Sequence, residues 1–240
     1  MGLHRAFPDA EITGVDVKPM PRYPFRFVQA DAMTYPLEGY DLIWTSPPCQ
    51  GYSIMRNLPW LKGKDYPMLI EPIRERLRTA GAPYIIENVM GAQKKAKMHA
   101  GWLCGTMFGL PFYRHRVFET NWDWMQPGHP IHTVIVHPRS ARWVYGGTKK
   151  GIPNAGYANW AANPNIVSDW NGGTKIHRRP DGSVSTLAHQ AGIGHAKGWR
   201  IAAAAMNIDW MKAAELSQAI PPAYSQFLGE QLKTRLTRNA

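Results

Sequence analysis

Over the first 120 residues, short apolar runs that end on a polar side chain alternate with one stretch of helical spacing. EITGVDV (11–17), FRFVQAD (25–31), YDLIWTS (40–46) and APYIIENV (82–89) each read as a strand. Between the third and fourth, Leu69, Ile70, Ile73 and Leu77 recur at helical spacing, with Glu71, Arg74, Glu75 and Arg76 between them. Strands and helices in this order predict an open α/β sheet, mostly parallel. Such sheets collect ligands outside the carboxyl ends of their strands. Asp16, Asp31, Cys49 and Glu87 all lie at or just past such ends. Beyond residue 120 the periodicity disappears and Trp, Gly, Asn, His and Pro dominate. Helical patterning returns over 201–236, in IAAAAMNI, WMKAAELSQAI and, after Pro221-Pro222, AYSQFLGEQLKTRL. The chain therefore divides into an α/β core over 1–120, an irregular lobe over 121–200 and a helical segment over 201–240 that returns to the core.

Charge sharpens this division. The 240 residues carry 28 Lys+Arg against 17 Asp+Glu, a net +11. Within 139–200, Arg139, Arg142, Lys149, Lys150, Lys175, Arg178, Arg179, Lys197 and Arg200 face only Asp169 and Asp181. Trp143, Tyr145, Tyr157, Trp160 and Trp170 are interleaved with them. Clustered cations among aromatic rings suit a nucleic-acid face. The two cysteines, Cys49 and Cys104, exclude a disulfide framework and a multi-cysteine zinc site. His129, His132 and His137 find no convincing fourth ligand, so no metal is expected. No apolar run reaches the ~18–20 residues of a membrane span, and MGLHRAFPDAE has no secretory apolar stretch. A soluble protein inside the cell, cytoplasmic in a bacterium or a phage-infected cell, is the expectation.

Three short segments carry candidate chemistry. In SPPCQGYS (46–53) a strand runs into two prolines, which fix φ and prevent a helix, and then into Cys49. A thiol held on a rigid turn at a strand end is well placed to act as a nucleophile once ionised. A small buried side chain on a turn is the plainer alternative. In IIENVMG (85–91) Glu87 closes an apolar strand, and burial there favours its protonated form. The plainer alternative is a carboxylate that caps the following helix. In FYRHRVFE, Arg114 and Arg116 share one side of a predicted strand and suit a phosphate or a base carbonyl. A solvated basic strand explains that pattern equally well.

Taken in order, PPCQGYS, IIENV, YRHRVFE and SQAIPPAYSQFLGEQL resemble the successive motifs of the C5-cytosine DNA methyltransferase family. The resemblance spans most of residues 2–120 and 205–235. The basic lobe lies where that family keeps its variable target-recognition region. The resemblance implies a Rossmann-like core that binds S-adenosylmethionine, and a flipped-out cytosine in double-stranded DNA as substrate. It assigns Cys49 the attack on C6 of the cytosine. Glu87 would hold N3 and the exocyclic amine, with Arg116 and Arg114 on O2 and the adjacent backbone. Asn88 would shape the Glu87 loop, while Gln50 and Ser53 would hold the active-site loop and the DNA backbone. Asp16 would bind the cofactor ribose, Asp31 its adenine amine, and Pro48 would sit by the methionine end. Gln218 and Ile220 occupy the terminal cofactor motif, where the family carries Asn rather than Gln. Arg139, Arg142, Lys149, Lys150, Lys175, Arg178 and Arg179 would meet the DNA.

One departure opens a second expectation. The family begins with a strand and a glycine-rich loop of the DLFCGAGG kind, whereas MGLHRAF resembles the helix that follows that loop. A non-catalytic DNA-binding relative, or one subunit of a split enzyme whose cofactor site another segment completes, is the alternative to a restriction–modification or phage-type DNA methyltransferase. An exocyclic amino methyltransferase is disfavoured, because Cys49 follows the two prolines where those enzymes place an aromatic residue.

Overall fold

The computed structural model describes residues 1–53, 63–110, 114–130, 166–168, 175–178, 184–186, 199–216 and 218–239. They form two compact units. The first comprises Met1–Phe108, Arg114–Gly128 and Pro221–Ala240, and the second Gly109–Tyr113 and His129–Ile220. Among the described residues no helix is long and apolar enough to cross a membrane.

The first unit is α/β. It opens with helix α1 (Gly2–Ala6) and strands β1 (Thr13–Asp16) and β2 (Arg26–Gln29), then β3 (Ile43–Thr45), α2 (Ile70–Ala80) and β4 (Tyr84–Asn88). Helix α3 (Met90–Lys95), β5 (Ala100–Leu103), a 3-10 turn (Gly105–Phe108) and β6 (Arg116–Thr120) follow. β1 and β2 form a parallel pair, and β3, β4, β6 and β5 form a second sheet in that order. β3 and β4 are parallel, joined by the α2 crossover, as parallel neighbours require. β6 is antiparallel to both β4 and β5. The expectation of one mostly parallel sheet is therefore corrected twice. The strands lie in two ladders, and the β4–β6–β5 half is antiparallel, with a short 3-10 turn and no crossover helix between β5 and β6 among the described residues.

Alternation along the second sheet decides what each face carries. Ile43, Tyr84, Ile86 and Val117 point to one face and pack with Ile73 and Leu77 of α2. Gly81, at φ +72°, ends α2 by returning its amide to the Leu77 carbonyl, a left-handed cap that glycine accepts without strain. Arg74 of α2 lies on this face and donates from Nε and Nη2 to the two carboxylate oxygens of Glu119 on β6, at 2.6 and 2.9 Å. It also bonds the Ala96 carbonyl and Glu71. With side-chain exposures of 5% and 6%, Arg74 and Glu119 are a fully desolvated pair.

The opposite face carries Trp44, Ile85, Glu87, Arg116 and Phe118. The register settles this: Trp44 pairs with Ile85, and Glu87 with Phe118. An aromatic cluster covers it, with Trp44 and Tyr224 both edge-on to Phe118 at centroid distances of 5.8 and 5.9 Å. Tyr224 belongs to α6 (Pro222–Asn239), which also packs along α1. Gly2 and Gly229 permit that close approach, since a Cβ at 229 would stand 2.7 Å from the Ala6 Cβ.

In the second unit, β7 (Ile166–Ser168), β8 (Lys175–Arg178) and β9 (Val184–Thr186) make an antiparallel sheet in that order. Helices α4 (Trp199–Met206) and α5 (Ala213–Leu216) follow, and Ala203, Met206, Ile208 and Leu216 form a small apolar core.

Removing one member of a desolvated pair strands the other. Glu119→Ala should lower the unfolding free energy by about 3–5 kcal/mol in urea titrations, and Arg74→Met with Glu119→Leu together should recover most of the loss.

Candidate active site

The carboxyl ends of β3 and β4 lie side by side, with Thr45 opposite Ile86. β3 runs directly into Pro47-Pro48-Cys49, and β4 ends on Glu87-Asn88. Neither proline has an amide hydrogen, so at both positions the backbone can only accept. The Asn88 Nδ2 donates to the Pro47 carbonyl at 2.9 Å, and the Asn88 Oδ1 accepts the Val89 amide at 2.9 Å. Asn88 is 1% exposed and uses both ends of its amide. Past the prolines, the amides of Tyr52 and Ser53 return to the Cys49 carbonyl at 3.0 and 2.9 Å, closing the turn. Tyr52 is buried, and its hydroxyl accepts the Ile70 amide at the start of α2 at 3.0 Å. The Lys95 ammonium of α3 donates to the Gly51 carbonyl at 3.3 Å. Gly91 is needed where α3 meets the turn, since a Cβ there would overlap the Tyr52 carbonyl oxygen. Cys49 itself is half-buried and forms no disulfide. Gln50 and Pro48 are exposed and Ser53 half-buried.

Glu87 lies on the face opposite α2, buried except for 7% of its side chain. Arg116 shares that face and reaches it, Nε to Oε1, at 3.1 Å. Burial raises the Glu87 carboxyl above the ordinary glutamate range. The Arg116 guanidinium, a hydrogen bond from Ser46 and the Arg114 charge oppose that rise. The capping alternative for Glu87 fails: the residue before α3 is Val89, and its amide is taken by Asn88.

Arg114 stands just before β6, not on it beside Arg116 as the sequence spacing predicts. It is buried, and its carbonyl accepts the Tyr224 hydroxyl at 2.7 Å. Burial and the Arg116 charge push its guanidinium down to about 9, while Glu87, Tyr224 and Cys49 pull it back. At that value it remains a cation at neutral pH. Arg114 thus lies within electrostatic reach of both the thiol and the carboxyl. His115, half-buried between the two arginines, is pushed below its ordinary value by burial and by Arg116.

Asp16 ends β1 and Asp31 lies two residues past β2. Each spends one carboxylate oxygen on a backbone amide two residues on: Asp16 accepts from Lys18 and Asp31 from Met33, both at 2.8 Å. The Ala30 amide ties the two strand ends together through the Asp16 carbonyl at 3.1 Å. Each carboxylate is thus fixed by a short turn at or just past the carboxyl end of its strand.

Gln218 and Ile220 lie in the second unit, just after α5, with Gln218 exposed and its amide bonded to the Glu215 carbonyl at 3.0 Å. Lys175 and Arg178 are the first and last residues of β8. Arg139, Arg142, Lys149, Lys150 and Arg179, with His132 and His137, lie outside the described residues.

The sequence pattern missed Ser46, Tyr52, Gly91 and Lys95. A serine directly before the prolines was the one visible signal. The other three act through partners that only the fold brings near.

No family model matches the chain, and no curated protein matches it. Among solved structures, the crystal structure of the S. pombe Dnmt2 methyltransferase is similar at 14% sequence identity and a TM-score of 0.46, covering 98% of this chain and 96% of that chain.

Asn88 should be the most sensitive support of the turn. Asn88→Ala orphans the Pro47 carbonyl and the Val89 amide and should cost about 1–3 kcal/mol in denaturant unfolding. Asn88→Asp should cost more, because it sets a carboxylate against that carbonyl.

Proposed function

We propose that this chain is an S-adenosylmethionine-dependent methyltransferase that modifies C5 of a flipped-out cytosine in double-stranded DNA through a covalent Cys49 adduct. The observation that carries this reading is the Asn88–Pro47 hydrogen bond, which ties the Cys49 turn to the strand end bearing Glu87. A nucleophile and a buried carboxyl on adjacent strand ends, with two guanidiniums beside them, are what a pyrimidine ring needs. One edge must be attacked, while the ring nitrogen and the carbonyl oxygen receive the displaced charge.

The Cys49 thiolate adds to C6, and the electron pair of the C5–C6 bond moves into the ring. Glu87, protonated more readily than an ordinary glutamate because it is buried, supplies a proton at N3 and accepts from the exocyclic amine. Arg116, with Arg114 behind it, faces O2 and offsets the negative charge there. Asp16 and Asp31 fit the ribose and adenine of the cofactor, with Pro48 toward its methionine end. Bound S-adenosylmethionine supplies an electrophilic methyl group for the enriched C5. Loss of the C5 proton to a base then restores the C5–C6 double bond and expels Cys49 as thiolate, and N3 returns its proton to Glu87. In this reading the basic lobe over 139–200 meets the DNA backbone.

The separation of β1–β2 from the β3–β4–β6–β5 sheet favours a second reading. Asp16 and Asp31 are on one ladder and Pro48 on the other, so a DNA-binding relative whose cofactor site is completed by a further strand fits the same residues. Calorimetric titration of S-adenosylmethionine into the isolated chain separates the two.

With cofactor and DNA containing 5-fluorocytosine in its target, the chain should form an adduct that survives denaturing electrophoresis. Cys49→Ser should form none and retain DNA binding. Absence of the wild-type adduct despite cofactor binding counts against covalent catalysis. Bisulfite sequencing of treated DNA reads the target directly.

A further inference from the structure

Trp44 and Ser46 play no part in the mechanism above, yet they share a sheet face with Glu87. Trp44 lies opposite Ile85 across the parallel β3–β4 ladder. Two residues further along each strand, Ser46 comes level with Glu87 on that face. The Trp44 indole Nε1 donates to the Ser46 Oγ at 3.1 Å. An indole N–H only donates, so this bond leaves the one hydroxyl proton of Ser46 to be given elsewhere. A hydrogen bond from Ser46 is among the influences that favour the charged form of the Glu87 carboxyl.

The chain of donors is held at both ends. Trp44 is fixed edge-on against the buried Phe118 at 5.8 Å. Ser46 precedes Pro47, which confines its backbone to extended conformations, and Asn88 grips the Pro47 carbonyl at 2.9 Å. From the opposite strand, Arg116 approaches Glu87 at 3.1 Å and Arg114 adds its charge from beyond. These are the charged groups that face Glu87 from β6 and the segment before it, and Ser46 faces it from the end of β3. Glu87 therefore has a cation on one flank and a neutral, oriented hydroxyl on the other.

We infer that Ser46 is a positioning residue for Glu87: its hydroxyl, oriented by the Trp44 indole, donates to the carboxylate and governs how that carboxyl is aimed and when it takes up a proton. The assignment rests on Glu87 being the proton-holding group of the proposed reaction. The sign of the effect follows from the bond. A donor to a carboxylate favours its charged form, so loss of the hydroxyl lets Glu87 keep its proton to higher pH. A packing role would move stability and leave the titration where it was.

The test is an NMR titration of the full chain labelled with 13C at the glutamate side-chain carboxyl, the Glu87 resonance being the one lost in Glu87→Gln. Ser46→Ala should move the Glu87 midpoint upward by about 0.5–1 pH units. Ser46→Thr, which keeps the hydroxyl, should restore it. Trp44→Phe, which keeps a ring against Phe118 and loses the indole donor, should move it in the same direction by less. In adduct formation, Ser46→Ala should shift the alkaline limb of the rate upward with KM little changed. An unmoved midpoint in Ser46→Ala, or a Ser46→Thr variant that behaves like alanine, overturns the assignment. A wild-type chain that forms no adduct while Ser46→Ala still moves the midpoint upholds the assignment and overturns the reading of function alone.

Discussion

Two successive prolines present two carbonyls and no amide hydrogen, so neither proline can donate a backbone bond to the turn that carries Cys49. It is held by what surrounds it. Asn88 takes the carbonyl before the thiol, the amides of Tyr52 and Ser53 return to the carbonyl of Cys49, and Tyr52 is itself anchored to the first amide of α2. Asn88, which ends β4, and Ile70, which begins α2, tie the turn to regular elements, and Asn88 is the residue next to Glu87. In the proposed reaction, the Cys49 turn and the Glu87 strand end would thus be held in a fixed relation before substrate arrives.

The electrostatics follow from the same geometry. Glu87 is almost fully desolvated, which penalises its anion, and two arginines stand by to offset that penalty. Arg114 is desolvated in turn and repelled by Arg116, so its own charge is weakened while Glu87 sustains it. Glu87 and Arg114 both depart from their ordinary values, each through burial first and neighbouring charge second. Burial pushes the Glu87 carboxyl above its ordinary range and the two arginines hold that rise back, so it takes up a proton more readily than a solvated glutamate.

The parts legible in the sequence are those fixed by local pattern. Apolar runs ending on Asp16, Thr45 and Asn88 gave strands in the right places, and the spacing of Ile70, Ile73 and Leu77 gave α2. Cys49 and Glu87 stood out because prolines and an apolar strand bracket them, and Asn88 through the resemblance of its motif alone. Register and partner choice were not legible. Nothing in FYRHRVFE says that β6 starts at Arg116, leaving Arg114 off the strand with its carbonyl on Tyr224, 110 residues away in the chain. Nothing in YDLIWTS says that Trp44 and Ser46 end level with Ile85 and Glu87, since that depends on the β3–β4 pairing. The division into two ladders is likewise a tertiary fact, because each strand pattern is satisfied with one neighbour or two.

The two faces of one sheet use the same pair of residue types for opposite ends. On the α2 face, Arg74 and Glu119 are 5% and 6% exposed, joined by two hydrogen bonds, and Arg74 also bonds Ala96 and Glu71. Such a pair gives specificity to the packing of α2 and has little capacity left for a ligand. On the other face, Arg116 is 20% exposed while Glu87 is 7%, joined through one arginine nitrogen at 3.1 Å. That guanidinium also donates from Nη1 to the His115 carbonyl at 2.8 Å and stays partly exposed. The α2-face pair is the more fully buried of the two and holds α2 to the sheet. β6 carries one member of each pair, Arg116 and Glu119, on opposite faces, so the pair that holds α2 to β6 on one face steadies the strand that brings Arg116 to Glu87 on the other.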